Sequence, residues 1–278
     1  MSTLLEPFEY AFFRNGLVVA TLAGALCGLI GVYVTLRGMS YIGHGLSHAI
    51  FGGAAASAVI SFNFYLGAGL WGLASSLMIG RITRRRLIGA DAAIGVVTTA
   101  SFALGLALLN RFGQVRQSLD AALFGSILGV TSTDVWLVLG VTVLAAAVVF
   151  LGYRSLLFTT FDPEVADVSG VRTARVDAVL LAVLAVAILA TMKVLGVVLI
   201  AATLVIPATV ARMLTNSFGR LLWLAVGLGA ACGFVGMMAS YHLDISSGAA
   251  IVLVGAVLFG AVFAVTGPRG LRQVGAGS

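Results

Sequence analysis

Apolar runs long enough to cross a bilayer follow one another along almost the whole of this chain, with few charges inside them. They lie near residues 14–36, 41–62, 64–81, 92–110, 133–153, 174–192, 195–211, 221–240 and 247–266. A helix crosses the ~30 Å hydrocarbon layer with about 20 apolar residues. The pattern therefore predicts an all-α, polytopic transmembrane helical bundle of eight or nine spans, with 1–278 as a single transmembrane domain. Composition closes off the soluble alternative. Charged residues make up 9% of the 278, against roughly 25% in soluble domains, too few to cover a water-facing surface. The run 195–211 is short and contains Pro207, which leaves the count between nine spans and eight plus a broken segment. Glycines four apart, at Gly24/Gly28, Gly125/Gly129 and Gly229/Gly233, fit close helix crossings.

The net charge of +6 does not describe a nucleic-acid surface, because the basic residues sit at the ends of apolar runs, where they orient the chain. If Arg81, Arg84, Arg85 and Arg86 are cytoplasmic, alternation puts only Arg14, Arg111, Arg116 and Lys193 outside, leaving twelve of sixteen basic residues inside. The expected topology has an external N-terminus and a cytoplasmic C-terminus in a cell (inner) membrane. The same arginine cluster could also meet anionic lipid. Cys27 and Cys232 lie inside apolar runs, in no CxxC, and read as small buried hydrophobes. The first residues lack the basic and short apolar regions of a cleaved signal peptide.

Two stretches between runs are more than turns. Residues 112–132 are too apolar for a loop and fit a short re-entrant helix on the external side. Residues 154–173 are the most acidic segment. There Asp162 reads as an N-cap, Pro163 as the first helical residue, Glu164 as a first-turn acid and Gly170 as the stop. A short cytoplasmic helix over about 161–170 is expected.

His44 and His48 are two of only three histidines, four residues apart near the start of the second run. On a helix that spacing puts both imidazoles on one face, and an ionisable group there needs a cavity or a partner. A site for metal in transit is one reading; a pair bonded to nearby carbonyls is the other. The zincin motif H-E-x-x-H shares the spacing, but Gly45 stands where its general base would be. Nor can the chain hydrolyse ATP: a P-loop needs G-x-x-x-x-G-K-[ST], and the only lysine, Lys193, follows Thr191 and Met192.

Five blocks in order resemble the ABC-3 family, the permeases of zinc, manganese and iron ABC importers. L-R-G-M-S-Y-I-G-H-G-L-S-H-A (Leu36 to Ala49) is similar to its L-R-R-M-S-L-x-G-D-A-L-S-H-A. L-F-G-S-I-L-G-V (Leu123 to Val130), F-D-P-E-V-A (Phe161 to Ala166), the segment Leu195 to Ala211 and S-Y-H-L-D-I-S-S-G (Ser240 to Gly248) resemble further family blocks. The resemblance covers about residues 12–266. It implies two permease copies, expected as a homodimer, with cytoplasmic ABC ATPase subunits and an extracytoplasmic metal-binding protein. It also implies that an acid and a histidine of the second span hold the ion at the dimer axis. The histidine falls on His48; the acid position falls on His44, a departure that replaces carboxylate with imidazole and tilts the ligand set toward zinc. Ser247 stands where the family has Pro. Phe161, Asp162, Pro163, Glu164 and Gly170 fall on the coupling helix that docks on the ATPase.

The expected function is thus the permease subunit of an ATP-driven importer of manganese or zinc, with iron as a further candidate. The metal is cargo, and no permanently bound cofactor is expected. Asp120, His242 and Asp244 are weaker candidates for receiving metal on the external side; ordinary capping or solvation is the alternative for each. A secondary, ion-gradient-driven metal transporter is the competing reading. It calls for mid-span acids, and the ten acids here lie mostly at span ends.

Overall fold

The computed structural model describes residues 6–84, 89–112, 123–126 and 129–275. Asp120, Arg85, Arg86, Arg116 and most of the 112–132 segment lie outside the described residues. Among those described there are helices and no strand. A 3-10 turn at Glu6–Glu9 leads into α1 (Ala11–Leu36), α2 (Ser40–Val59), α3 (Phe64–Arg84), α4 (Ala90–Phe112) and α5 (Ser132–Leu151). Two short helices follow, α6 (Tyr153–Phe161) and α7 (Pro163–Val168), and then α8 (Thr173–Leu195), α9 (Ile200–Leu214), α10 (Phe218–Leu243) and α11 (Ser247–Gly275).

Each expected run falls on one long helix, yet only α1, α4, α5, α8, α10 and α11 are long and apolar enough to cross a membrane by those two criteria. Six spans are thus supported among the described residues, and the expected eight or nine are not confirmed. The three that fall short do so for physical reasons. Both histidines and four glycines lower the apolar content of α2, and Arg81 and Arg84 end α3. At 15 residues, α9 reaches only about 22 Å at 1.5 Å per residue. Helices enclosed by protein need no lipid-facing surface, and α2 is buried along most of its length.

The interior is built on α1 and α8, whose most apolar windows are 78% and 67% buried, whereas α5 and α11 are mostly exposed and turn Val143, Leu144, Val257 and Phe263 outward. Against α1 pack α10 and α9; α3 and α4 pack on α2; α8 touches both groups. Two of the three glycine pairs make the α1–α10 crossing. A methyl at Gly24 or Gly229 would overlap the facing carbonyl, and Gly28 and Gly233 lie as tightly on Ala225 and Ala20. Such backbone approach replaces the hydrophobic effect as the source of helix association in lipid.

The third pair does something else. Gly125 is in no helix; its φ is +80°, and it packs back to back with Gly196, φ +76°. Only glycine takes these angles readily. Ser126 N–H donates to the Lys193 carbonyl at 3.1 Å, and Val198 N–H to the Leu123 carbonyl at 3.1 Å. The break in the 195–211 run is therefore at Gly196, which ends α8, and not at Pro207, which sits inside α9 without terminating it.

Ion pairs fasten α8 at both ends. At one end, Arg37 donates to Asp177 at 2.6 Å and to Thr160 at 3.1 Å, while Arg84 reaches the other Asp177 oxygen at 2.8 Å. At the other, Lys193 pairs with Asp134 at 2.7 Å, and the Tyr65 hydroxyl donates to Asp134 at 3.2 Å. Near the arginine end, Asp162 caps α7 by accepting from Val165 N–H at 3.0 Å, Pro163 opens the helix, and Gly170 turns the chain at φ +86°.

Candidate functional site

The backbone of α2 is thin where α4 meets it. Gly45 leaves room for Ile94 and Thr98, and Gly52 lies against the Ser101 carbonyl and Gly105. The two helices therefore run parallel and close, both starting from the arginine end. Beside the histidines a cavity of about 410 Å³ opens between them. Its α2 side is Tyr41, His44, Gly45 and His48; its α4 side runs from Asp91 through Ile94, Gly95, Thr98 and Thr99 to Phe102.

Both imidazoles face this space. Their ring centroids are 4.5 Å apart and nearly perpendicular, at 80°. His44 is exposed and His48 half-buried. Phe102 closes the deep end, edge-on to His48 at 4.7 Å, and Phe51 backs it at 5.5 Å. The Nδ1 of His48 is buried with no hydrogen-bond partner among the described residues. A buried polar atom left unpaired is costly, and imidazole nitrogen is a common metal ligand. Among the described residues neither imidazole donates to a carbonyl. Ser47, between the two, hydrogen-bonds the Val197 carbonyl at 2.7 Å and ties α2 to the break that follows α8.

Among the described residues no group of three or more His, Cys, Asp or Glu could hold a metal ion. Two imidazoles are therefore what one chain offers at this point, short of the four or more ligands a divalent transition metal takes. Of the residues lining the cavity, Tyr41 is an exposed aromatic group.

The other expected site residues lie elsewhere. His242 is exposed in the last turn of α10, its ring against Tyr241 at 5.5 Å, and Asp244 is the left-handed C-cap of that helix at φ +52°. Neither lines the cavity with His44 and His48. Asp120 is outside the described residues. Phe161, the last residue of α6, and Val165 and Val168 of α7 are exposed apolar groups beside Asp162 and Glu164, while Ala166 is buried. Asp167 of the same helix accepts from Thr173 at 3.2 Å, and Thr173 accepts from Arg84 at 3.1 Å.

Sequence reasoning passed over two features. Asp91 shares the histidine cavity; in sequence it is an ordinary first-turn acid, and only the α2–α4 contact brings it there. Arg37, 10% exposed, joins the start of α2 to α6 and α8 through Thr160 and Asp177. Its signal was its place inside the block Leu36 to Ala49.

Comparison with known proteins gives a consistent picture. A family model described as the ABC 3 transport family matches residues 9–266. The chain is 34% identical to the manganese transport system membrane protein MntC of Halalkalibacterium halodurans, over 96% of its own length and 91% of that protein's. It is 33% identical to a Haemophilus influenzae protein named "Probable iron transport system membrane protein", covering 92% of this chain and 94% of that one. Among solved structures, PsaBC from Streptococcus pneumoniae in complex with Fab is similar at a TM-score of 0.85 and 30% identity, over 94% of this chain and 95% of that one.

Proposed function

The chain belongs to the ABC 3 transport family, and from that premise we propose that it is the membrane subunit of an ATP-driven importer of a divalent transition metal. The observation that carries the cargo is the cavity between α2 and α4, with His44 and His48 on one wall and a buried, unpartnered nitrogen on His48. Two copies related by a twofold axis, with their α2 helices facing, would bring four imidazoles to one ion. Manganese is the first cargo to test, because it is named for the MntC relative. Zinc follows from the chemistry of imidazole, and iron from the name of the Haemophilus relative.

The remaining parts follow from the same premise. Residues 1–278 form one permease domain. The nine long helices alternate between the two ends, and all nine cross the membrane, α9 completing its traverse through the turn at 196–199. The arginine end is cytoplasmic, as the excess of basic residues there supports, so the N-terminus is external and the C-terminus cytoplasmic in a cell membrane. Residues 112–132 form the external re-entrant element. Phe161, Asp162, Pro163, Glu164 and Gly170 belong to a coupling helix that docks on a separate cytoplasmic ATPase, and an extracytoplasmic binding protein delivers the ion. The exposed apolar row on α7, with acids beside it, supports a docking role over a plain loop.

The test is uptake by the assembled transporter in proteoliposomes. His48→Ala is expected to abolish manganese and zinc uptake while leaving the permease assembled with its ATPase. Wild-type uptake by that variant would remove the histidine pair from the pathway.

A further inference from the structure

Asp91 occupies the first turn of α4 at the arginine-end mouth of the histidine cavity, the cytoplasmic end in the proposed topology. Along α4, Asp91 and Phe102 are separated by about 16 Å of helix rise, with Thr98 and Thr99 between. Along α2, Tyr41 lies near the mouth, His44 one turn in, and His48 beneath Phe102. Among the described residues Asp91 makes no ion pair or hydrogen bond, and it is exposed to the cavity. Among the described residues it does not complete a three-ligand group with the histidines.

We propose that Asp91 is the release ligand of this permease: a carboxylate that takes the divalent ion from the His44–His48 pair and passes it to the cytoplasm. This rests on the reading of that pair as the transit site. The chemistry of the handover follows from the order of the donors. Imidazole holds a borderline transition metal through nitrogen, whereas carboxylate is a harder ligand that leaves most of the ion's coordination to water. An ion leaving the imidazoles meets a negative charge at the point where it begins to rehydrate. A charge in the mouth of a cleft with low-dielectric walls also concentrates cations there. Among the described residues lining this cavity, Asp91 is the only Asp, Glu, Lys or Arg.

The experiment compares wild type, Asp91→Asn, Asp91→Glu and His48→Ala in the complete transporter, reconstituted with its ATPase and binding protein. The readouts are uptake of radiolabelled manganese, ATP hydrolysis, and equilibrium manganese binding to the detergent-solubilised complex. Asp91→Asn keeps size and hydrogen-bonding capacity and removes the charge. It is expected to slow uptake roughly tenfold, the lower range of electrostatic focusing, with ATP hydrolysis and manganese binding near wild type. Asp91→Glu restores uptake. Wild-type uptake by Asp91→Asn, with His48→Ala inactive, overturns this proposal and leaves the histidine site standing. Asp91→Glu as impaired as Asp91→Asn also overturns it, because a role in shape rather than charge is then indicated. Normal uptake by His48→Ala overturns the histidine reading itself, and this proposal with it.

Discussion

Replacing Asp177 by Ala tests whether the buried arm of the arginine-end network holds the bundle together. The carboxylate serves two guanidinium groups that differ in their surroundings: Arg37 is 10% exposed and Arg84 40%, with Asp177 itself at 29%. At about 4 Å between charge centres, one such pair is worth about 4 kcal/mol gross at an effective dielectric of 20. Desolvation offsets much of that, so the net worth of the pair is small. Truncation is a different quantity, because Arg37 is then left buried with Thr160 as its remaining side-chain partner and with Nη2 already unpaired. Stranding a buried charge costs about 3 kcal/mol, and the loss of the more exposed Arg84 arm adds under about 1 kcal/mol. Asp177→Ala is therefore expected to lower the unfolding free energy in detergent micelles by about 3–4 kcal/mol, against less than about 1 kcal/mol for Arg84→Ala. The double variant Arg37→Leu/Asp177→Leu should be less destabilised than Asp177→Leu alone, since no charge is then stranded. Equal losses for Asp177→Ala and Arg84→Ala, with additive behaviour in the Arg37–Asp177 cycle, would refute the reasoning.

Three further outcomes are expected. Gly24→Val should force α1 from α10 and cost at least the 1–3 kcal/mol typical of overpacking, seen as a lower melting temperature in detergent; Gly227→Val, where nothing lies within 4 Å of a new Cβ, should leave it unchanged. Glu164→Arg reverses a first-turn charge on α7 and should weaken ATPase association or uncouple hydrolysis from uptake, and transport and assembly both at wild-type level would reduce that helix to a loop. His44→Asp places a hard oxygen donor beside the remaining imidazole and should shift competition between manganese and zinc toward manganese; unchanged selectivity would sink the ligand-type explanation.

Much of the architecture is written in the order of residues. Apolar length placed the long helices, because lipid leaves the backbone no partner but itself. Asp162, Pro163 and Gly170 set the ends of α7, because capping and turn angles are local properties. The histidine spacing put two imidazoles on one face for the same reason: helix geometry acts within a single turn. Gly24, Gly28, Gly229 and Gly233 announced a close crossing, though not which helices would cross.

What the sequence could not decide depends on contacts between distant segments. Asp91 enters the histidine cavity only because Gly45 and Gly52 let α4 lie against α2, and no local rule links residues 43 apart. Gly125 and Gly129 looked like a helix crossing, yet Gly125 packs on Gly196 as a turn, because the partner's backbone needs that space and both residues take positive φ. The break fell at Gly196 and not at Pro207 because Leu123 and Ser126 supply hydrogen bonds to the backbone on either side of Gly196. Asp177 acquired two arginines from different helices by the same logic. Local order fixes each helix and its faces; which faces meet, and hence which side chains share a cavity, is set by close packing of backbones brought together from across the chain.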